Sequence, residues 1–131
     1  MAQLNALGIV VNDMAAALAF YRRVGLDIPE GAESEDHVEV AVGGLRLMFD
    51  TVEVVQSFSD WEPPSGGHRI ALAFVCDSPA DVDATHADMV DAGYASHLDP
   101  FDAVWGQRYA TLLDPDGNPV DLFAPLDPVL T

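Results

Sequence analysis

The sequence predicts an α+β fold of two βαβββ modules whose strands form a curved mixed sheet around a cleft. Three observations point to it. The order strand, helix, strands runs twice along the chain of 131 residues. The strand-to-helix junctions Val11-Asn12-Asp13 and Cys76-Asp77-Ser78 correspond at an offset of roughly 65 residues, the mark of two copies of one unit. Gly44 before Leu45–Phe49 likewise corresponds to Gly117 before Asn118–Phe123. Eight strands with two helices do not make a doubly wound parallel sheet, so helices outside a mixed sheet are expected.

The elements follow in order. Leu4–Val11 reads as a buried strand, and Asn12 and Asp13 offer a helix cap. Met14, Ala17, Leu18, Tyr21 and Val24 share one helical face, and Gly25 ends the helix. Val38, Val40 and Val42 alternate in His37–Val42; Gly43-Gly44 turns the chain into a strand at Leu45–Asp50. A linker over about 51–67 is expected from Pro63, Pro64, Gly66 and Gly67. It separates a first module at about 4–50 from a second at about 68–126 within one domain. In the second module Arg69–Cys76 is a strand, and Ser78 caps a helix with Pro79 at its first position, stopping at Gly93. Strands are expected at Ala95–Phe101, Arg108–Leu113 and Pro119–Phe123, the last two joined by an Asp114-Pro115-Asp116-Gly117-Asn118 turn.

Composition bounds the function. Half the residues are apolar and no apolar run is long enough to span a membrane, so a cytoplasmic globular protein is expected. The 22 acidic residues stand against five arginines and no lysine, a formal charge of -17. Nucleic acid binding is excluded, because phosphate contacts need clustered cations, whereas a cationic ligand is attracted. The single Cys76 permits neither an internal disulfide nor a multi-cysteine zinc cluster.

Alternation also places a pocket. Leu7, Ile9 and Val11 share a face, as do Ile70, Leu72, Phe74 and Cys76; these large faces are expected to pack on the helices. The opposite faces carry Ala6, Gly8, Ala71 and Ala73, small residues that leave room for a ligand.

At this point two segments resemble the glyoxalase/bleomycin-resistance (vicinal-oxygen-chelate) superfamily. LGIVVNDMAAALAFYRRVGLDI is similar to its opening signature at Asp13, Phe20, Tyr21, Gly25 and Leu26. WGQRYATLLDPDGNPVDLFAP is similar to its closing one at Trp105, Gly106, Arg108, Asp114, Pro115, Asp116, Gly117, Asn118 and Phe123. The resemblance covers about residues 4–126. It implies four metal-ligand positions, which fall on Ala6, Met48 (Leu47 if the register slips), Arg69 and Asp121. Only Asp121 suits a hard divalent ion, so the metal site of the superfamily looks dismantled, and no cofactor is expected. Arg69 and Asp121 are expected to face each other as an ion pair.

Metal-free members of the superfamily include acidic dimers that sequester antibiotics on aromatic side chains. The resemblance therefore implies a homodimeric binding protein that captures an aromatic or cationic antibiotic-like molecule stoichiometrically. Trp61, Trp105, Phe58 and Phe101 are the stacking candidates, with Glu39, Arg108 and Phe123 also expected at the ligand. Tyr109 is expected to face the helices, by alternation from Arg108. The alternative is an enzyme of the same superfamily, a lyase, isomerase or dioxygenase with an atypical metal set or acid–base chemistry by Asp121, Glu39 or Asp50.

Overall fold

The computed structural model describes residues 3–58, 60, 62–63 and 71–127. The chain divides into two compact units, Met1–Gly66 and Gly67–Thr131.

The first unit runs β1 (Ala6–Val11), α1 (Met14–Val24), a single 3-10 turn (Ala32–Ser34), β2 (His37–Val42), β3 (Leu45–Thr51) and α2 (Val52–Gln56). Its sheet has the order β1-β3-β2, with β1 parallel and β2 antiparallel to β3. Asp13 caps α1 by accepting from the Ala16 amide at 3.1 Å. Gly25 closes the helix at a φ of 139°, which side-chain-bearing residues rarely adopt, and its amide bonds the Tyr21 carbonyl. All five residues of the expected apolar face, Met14, Ala17, Leu18, Tyr21 and Val24, are buried. Tyr21 meets Phe49 of β3 with ring centroids 5.3 Å apart, which marks the face of the sheet toward α1.

The second unit runs β4 (Leu72–Val75), α3 (Pro79–Asp91), β5 (Ser96–Asp102), β6 (Gln107–Leu113) and β7 (Pro119–Pro125), with sheet order β4-β7-β6-β5. Its first strand again joins its last in parallel, and the others fold back antiparallel. Ser78 caps α3 through the Asp81 amide at 3.1 Å, with Pro79 in the first turn. Val82 and Met89 of α3 and Ala110, Leu112, Val120, Leu122 and Ala124 of the sheet are fully buried and form this unit's core. Asp114 holds the β6–β7 turn, accepting from the Asp116 amide, the Asn118 amide and the Asn118 side chain at 2.8 to 2.9 Å.

Two expectations are corrected. Among the described residues, the first sheet has three strands where four were expected. The segment between α1 and β2 has its polar groups engaged elsewhere. Arg22 donates to the carbonyls of Ile28 and Pro29 at 3.1 and 2.8 Å and pairs with Glu33 at 2.8 Å. Carbonyls tied to a guanidinium, beside a proline with no amide proton, do not build a ladder. The second correction is that the expected linker begins as a helix. Thr51 caps α2 by accepting from the Val54 amide at 3.2 Å. Among the described residues, no helix is long and apolar enough to cross a membrane.

Candidate functional site

In each sheet one face meets the helix and the other does not. Residues opposite one another in a ladder share a face. In the second unit, Ala73 lies opposite Asp121, Asp121 opposite Thr111, Tyr109 opposite Phe123, and Phe101 opposite Tyr109. These residues make up the face away from α3. Three of the side chains expected at the ligand, Phe101, Asp121 and Phe123, are brought together there with Ala73, while Ala71 lies exposed just before β4.

An aromatic cluster dominates this face. Trp105, in the turn from β5 to β6, sets its ring centroid 5.3 Å from Tyr109 and 6.3 Å from Phe101. Phe101 and Tyr109 lie 6.1 Å apart. All three contacts are edge-to-face, the arrangement the ring quadrupoles favour. Trp105 is 59% exposed and Phe101 37%, so the cluster leaves ring surface open to solvent. The Trp105 indole donates to Gln107 Oε1 at 2.9 Å, which fixes the plane of the ring.

Beside the rings sits Asp121. Its carboxylate accepts hydrogen bonds from the Tyr109 hydroxyl and, at 2.7 Å, from the Thr111 hydroxyl. Burial, then the bond to Asp121, pushes the Tyr109 phenol up to about 12. Tyr109 therefore remains a donor across the physiological range.

The structure overturns the expected orientation of β6. Arg108 faces α3: its guanidinium bonds Asp83 at 2.9 and 3.1 Å and Asp102 at 3.0 Å. These partners raise its already high pKa, Asp83 most of all. Arg108 thus holds α3 and β5 to the sheet, away from the rings, and Tyr109 takes the place beside the ligand candidates. Ala110 and Leu112, two and four positions on, share this face and are fully buried.

The face of the first sheet away from α1 carries the other candidates. Ala6 lies opposite Arg46, Gly8 opposite Met48, and Met48 opposite Glu39. A row of polar contacts crosses it. His37 Nδ1 lies 2.5 Å from Asp50 and Nε2 lies 2.7 Å from Glu39. Glu39 accepts from Arg46 at 2.7 Å, and Arg46 donates twice to Asn5 at 2.7 and 3.0 Å. His37 first, then Arg46, holds the Glu39 carboxyl below the usual range. His37 and Arg46 were not among the expected site residues. The alternation that puts Val38, Val40 and Val42 toward α1 also puts His37 and Glu39 together on the other face. Phe58 is exposed beyond α2. Trp61 and Arg69 lie outside the described residues, and with Arg69 the expected ion pair to Asp121.

Three of the four positions that the resemblance assigns to metal lie among the described residues, and Arg69 lies outside them. Ala6 has no donor atom, Met48 offers a thioether, and both Asp121 oxygens already accept hydroxyl hydrogen bonds. Among the described residues, no group of three or more His, Cys, Asp or Glu is placed to hold a metal ion.

Comparison with known proteins agrees with this architecture. A glyoxalase/bleomycin resistance protein/dioxygenase family enzyme from Burkholderia phytofirmans PsJN superposes with a TM-score of 0.78 at 25% identity, over 95% of this chain and 100% of that one. A glyoxalase-related enzyme from Fulvimarina pelagi gives 0.79 at 18% identity, over 95% and 88%. A lactoylglutathione lyase from Agrobacterium tumefaciens gives 0.66 at 21% identity, over 95% and 94%. No curated protein sequence matches. The family model described as Glyoxalase/Bleomycin resistance protein/Dioxygenase superfamily matches residues 3–122, nearly the whole chain, and the chain belongs to that superfamily.

Proposed function

We propose that this chain is a small-molecule binding protein that sequesters a hydrophobic or aromatic, antibiotic-like compound without making or breaking a bond. The observation that carries the reading is the Phe101–Trp105–Tyr109 cluster on the face away from α3, with Trp105 largely exposed beside the Asp121 carboxylate. Large aromatic surface is costly to leave in water, and a planar ligand covering it recovers that burial. A carboxylate at the edge of the rings suits a ligand with a hydrogen-bond donor or a positive charge. Ala6 has no donor atom and the Asp121 carboxylate is engaged by two hydroxyls, which fits capture without Lewis-acid assistance. The protein acts in the cytoplasm as a homodimer. Leu98 in the edge strand β5 and the fully exposed Val104 just after it offer apolar surface to a second copy.

Tryptophan-fluorescence titration against bleomycin, mitomycin, a phenazine and an anthraquinone tests the reading. Saturable quenching that the Trp105→Phe variant loses, with intact compound recovered on unfolding, is the expected result. Conversion of the compound sinks it, as does the absence of quenching throughout the panel. Sedimentation velocity tests the dimer.

One observation favours a second reading, an acid–base enzyme. Glu39, His37 and Asp50 form a contiguous proton-carrying row on the face away from α1, and structurally similar proteins are described as enzymes. Under this reading the recovered compound is chemically changed, and His37→Gln abolishes the change.

A further inference from the structure

The row across the first sheet also has a conformational consequence that does not depend on what the aromatic face binds. We infer that His37 is a proton-sensitive staple that holds the edge strand β2 to β3. Among the described residues β2 pairs with β3 alone, so its attachment rests on one ladder and on side chains that cross it. His37 lies directly opposite Asp50 in that ladder and bonds it through Nδ1 at 2.5 Å. Nε2 meets Glu39, two residues along the same face of β2, at 2.7 Å.

A neutral imidazole has one donor and one acceptor nitrogen, whereas the imidazolium has two donors. Two carboxylates at the two ring nitrogens are therefore both satisfied only when the ring is protonated. The neutral ring would set a lone pair against a carboxylate oxygen. The surrounding groups agree. From β2 the ring faces Glu39, and from β3 Asp50; Arg46 of β3 anchors Glu39 from its far side and is itself held by Asn5. On β1, the residue opposite Asp50 is the apolar Val10. With the ring protonated, two cations balance two carboxylates. With it neutral, one negative charge is left over.

Glu39 first, then Asp50, raises His37 above its ordinary value of 6.5, with burial opposing. A raised value in the folded state means that the folded chain holds the proton more tightly than the unfolded one. The staple is thus complete below 6.5 and is lost as the pH rises through the raised value.

The test is amide hydrogen exchange of the full chain between about pH 6 and 9, corrected for intrinsic rates, with ring-carbon NMR titration of His37 alongside. Protection of the β2 amides should fall with the same midpoint as the His37 titration, above 6.5. The fall should reach at most about tenfold per pKa unit of elevation, less for solvent screening of a partly exposed ring. Amides of the α3 core should keep their protection. Glu39→Gln should lower the midpoint, and His37→Gln should make β2 protection independent of pH. A His37 ring that titrates at or below 6.5 overturns the inference, and so does a β2 profile unchanged by His37→Gln.

Discussion

Tyr109 of β6 donates its hydroxyl hydrogen bond to Asp121 of β7, diagonally across a ladder in which Thr111 is the residue opposite Asp121. The contact ties the aromatic cluster to the carboxylate, so that ring and charge are presented as one surface.

The chain contains three tyrosines, and absorbance titration should show a late component near 12 that Tyr109→Phe removes. Because the folded value lies above the usual 10, the associated stability is intact below pH 10 and declines as the pH rises toward 12. A wild-type titration with no component above 11 or so would refute the burial and hydrogen bonding described here.

Trp105 should be the main determinant of affinity. It is exposed, so Trp105→Ala leaves the core untouched while removing the largest ring of the cluster. Calorimetry on a compound that binds the wild type should show at least about a tenfold loss of affinity, the effect of about 1.4 kcal/mol, with thermal stability nearly unchanged.

Arg108 should behave in the opposite way. It is engaged by Asp83 and Asp102 on the α3 side of the sheet. Arg108→Gln should therefore leave ligand affinity within about twofold of wild type, since the two faces are separated by the sheet. A large loss of binding would place the guanidinium at the ligand after all.

The turn at Asp114 should be a point of fragility. Its buried side chain satisfies two amides and the Asn118 side chain. Asp114→Ala strips all three donors of their acceptor and should cost about 2 to 4 kcal/mol in urea unfolding. Replacing the fully buried Leu122 by alanine should cost a similar amount, about 2 to 5 kcal/mol, by opening a cavity under α3. A loss below about 1 kcal/mol in either variant contradicts the packing described.

Much of the architecture is legible along the chain because its causes are local. Asp13 and Ser78 cap helices through their own side chains, and Gly25 ends one because its backbone permits a positive φ. The repeat and its turns follow from alternation and from glycine, proline and aspartate at fixed offsets. The small residues Gly8 and Ala73 were likewise assigned to the face that proved to lie away from the helices.

The site was only half legible, and the missing half depends on register. Alternation sorts Arg108 and Tyr109 onto opposite faces of β6 but does not say which face receives the helix. That is decided by pairing with β7, which aligns Ala110 with Leu122 and commits Arg108 to α3 and Tyr109 to Asp121. His37 and Glu39 share a face by sequence alone, yet Asp50 joins them only because β3 folds back in one register. Nor does the sequence show that Arg22 takes the carbonyls of Ile28 and Pro29 and so leaves the first sheet one strand short. The sequence by itself determined the repeated unit, its caps and its alternating faces, since each is set by residues within a few positions of one another. Tertiary structure decided which faces carry the rings, the carboxylates and the imidazole, because those neighbours are distant in the chain and meet only when the strands pair.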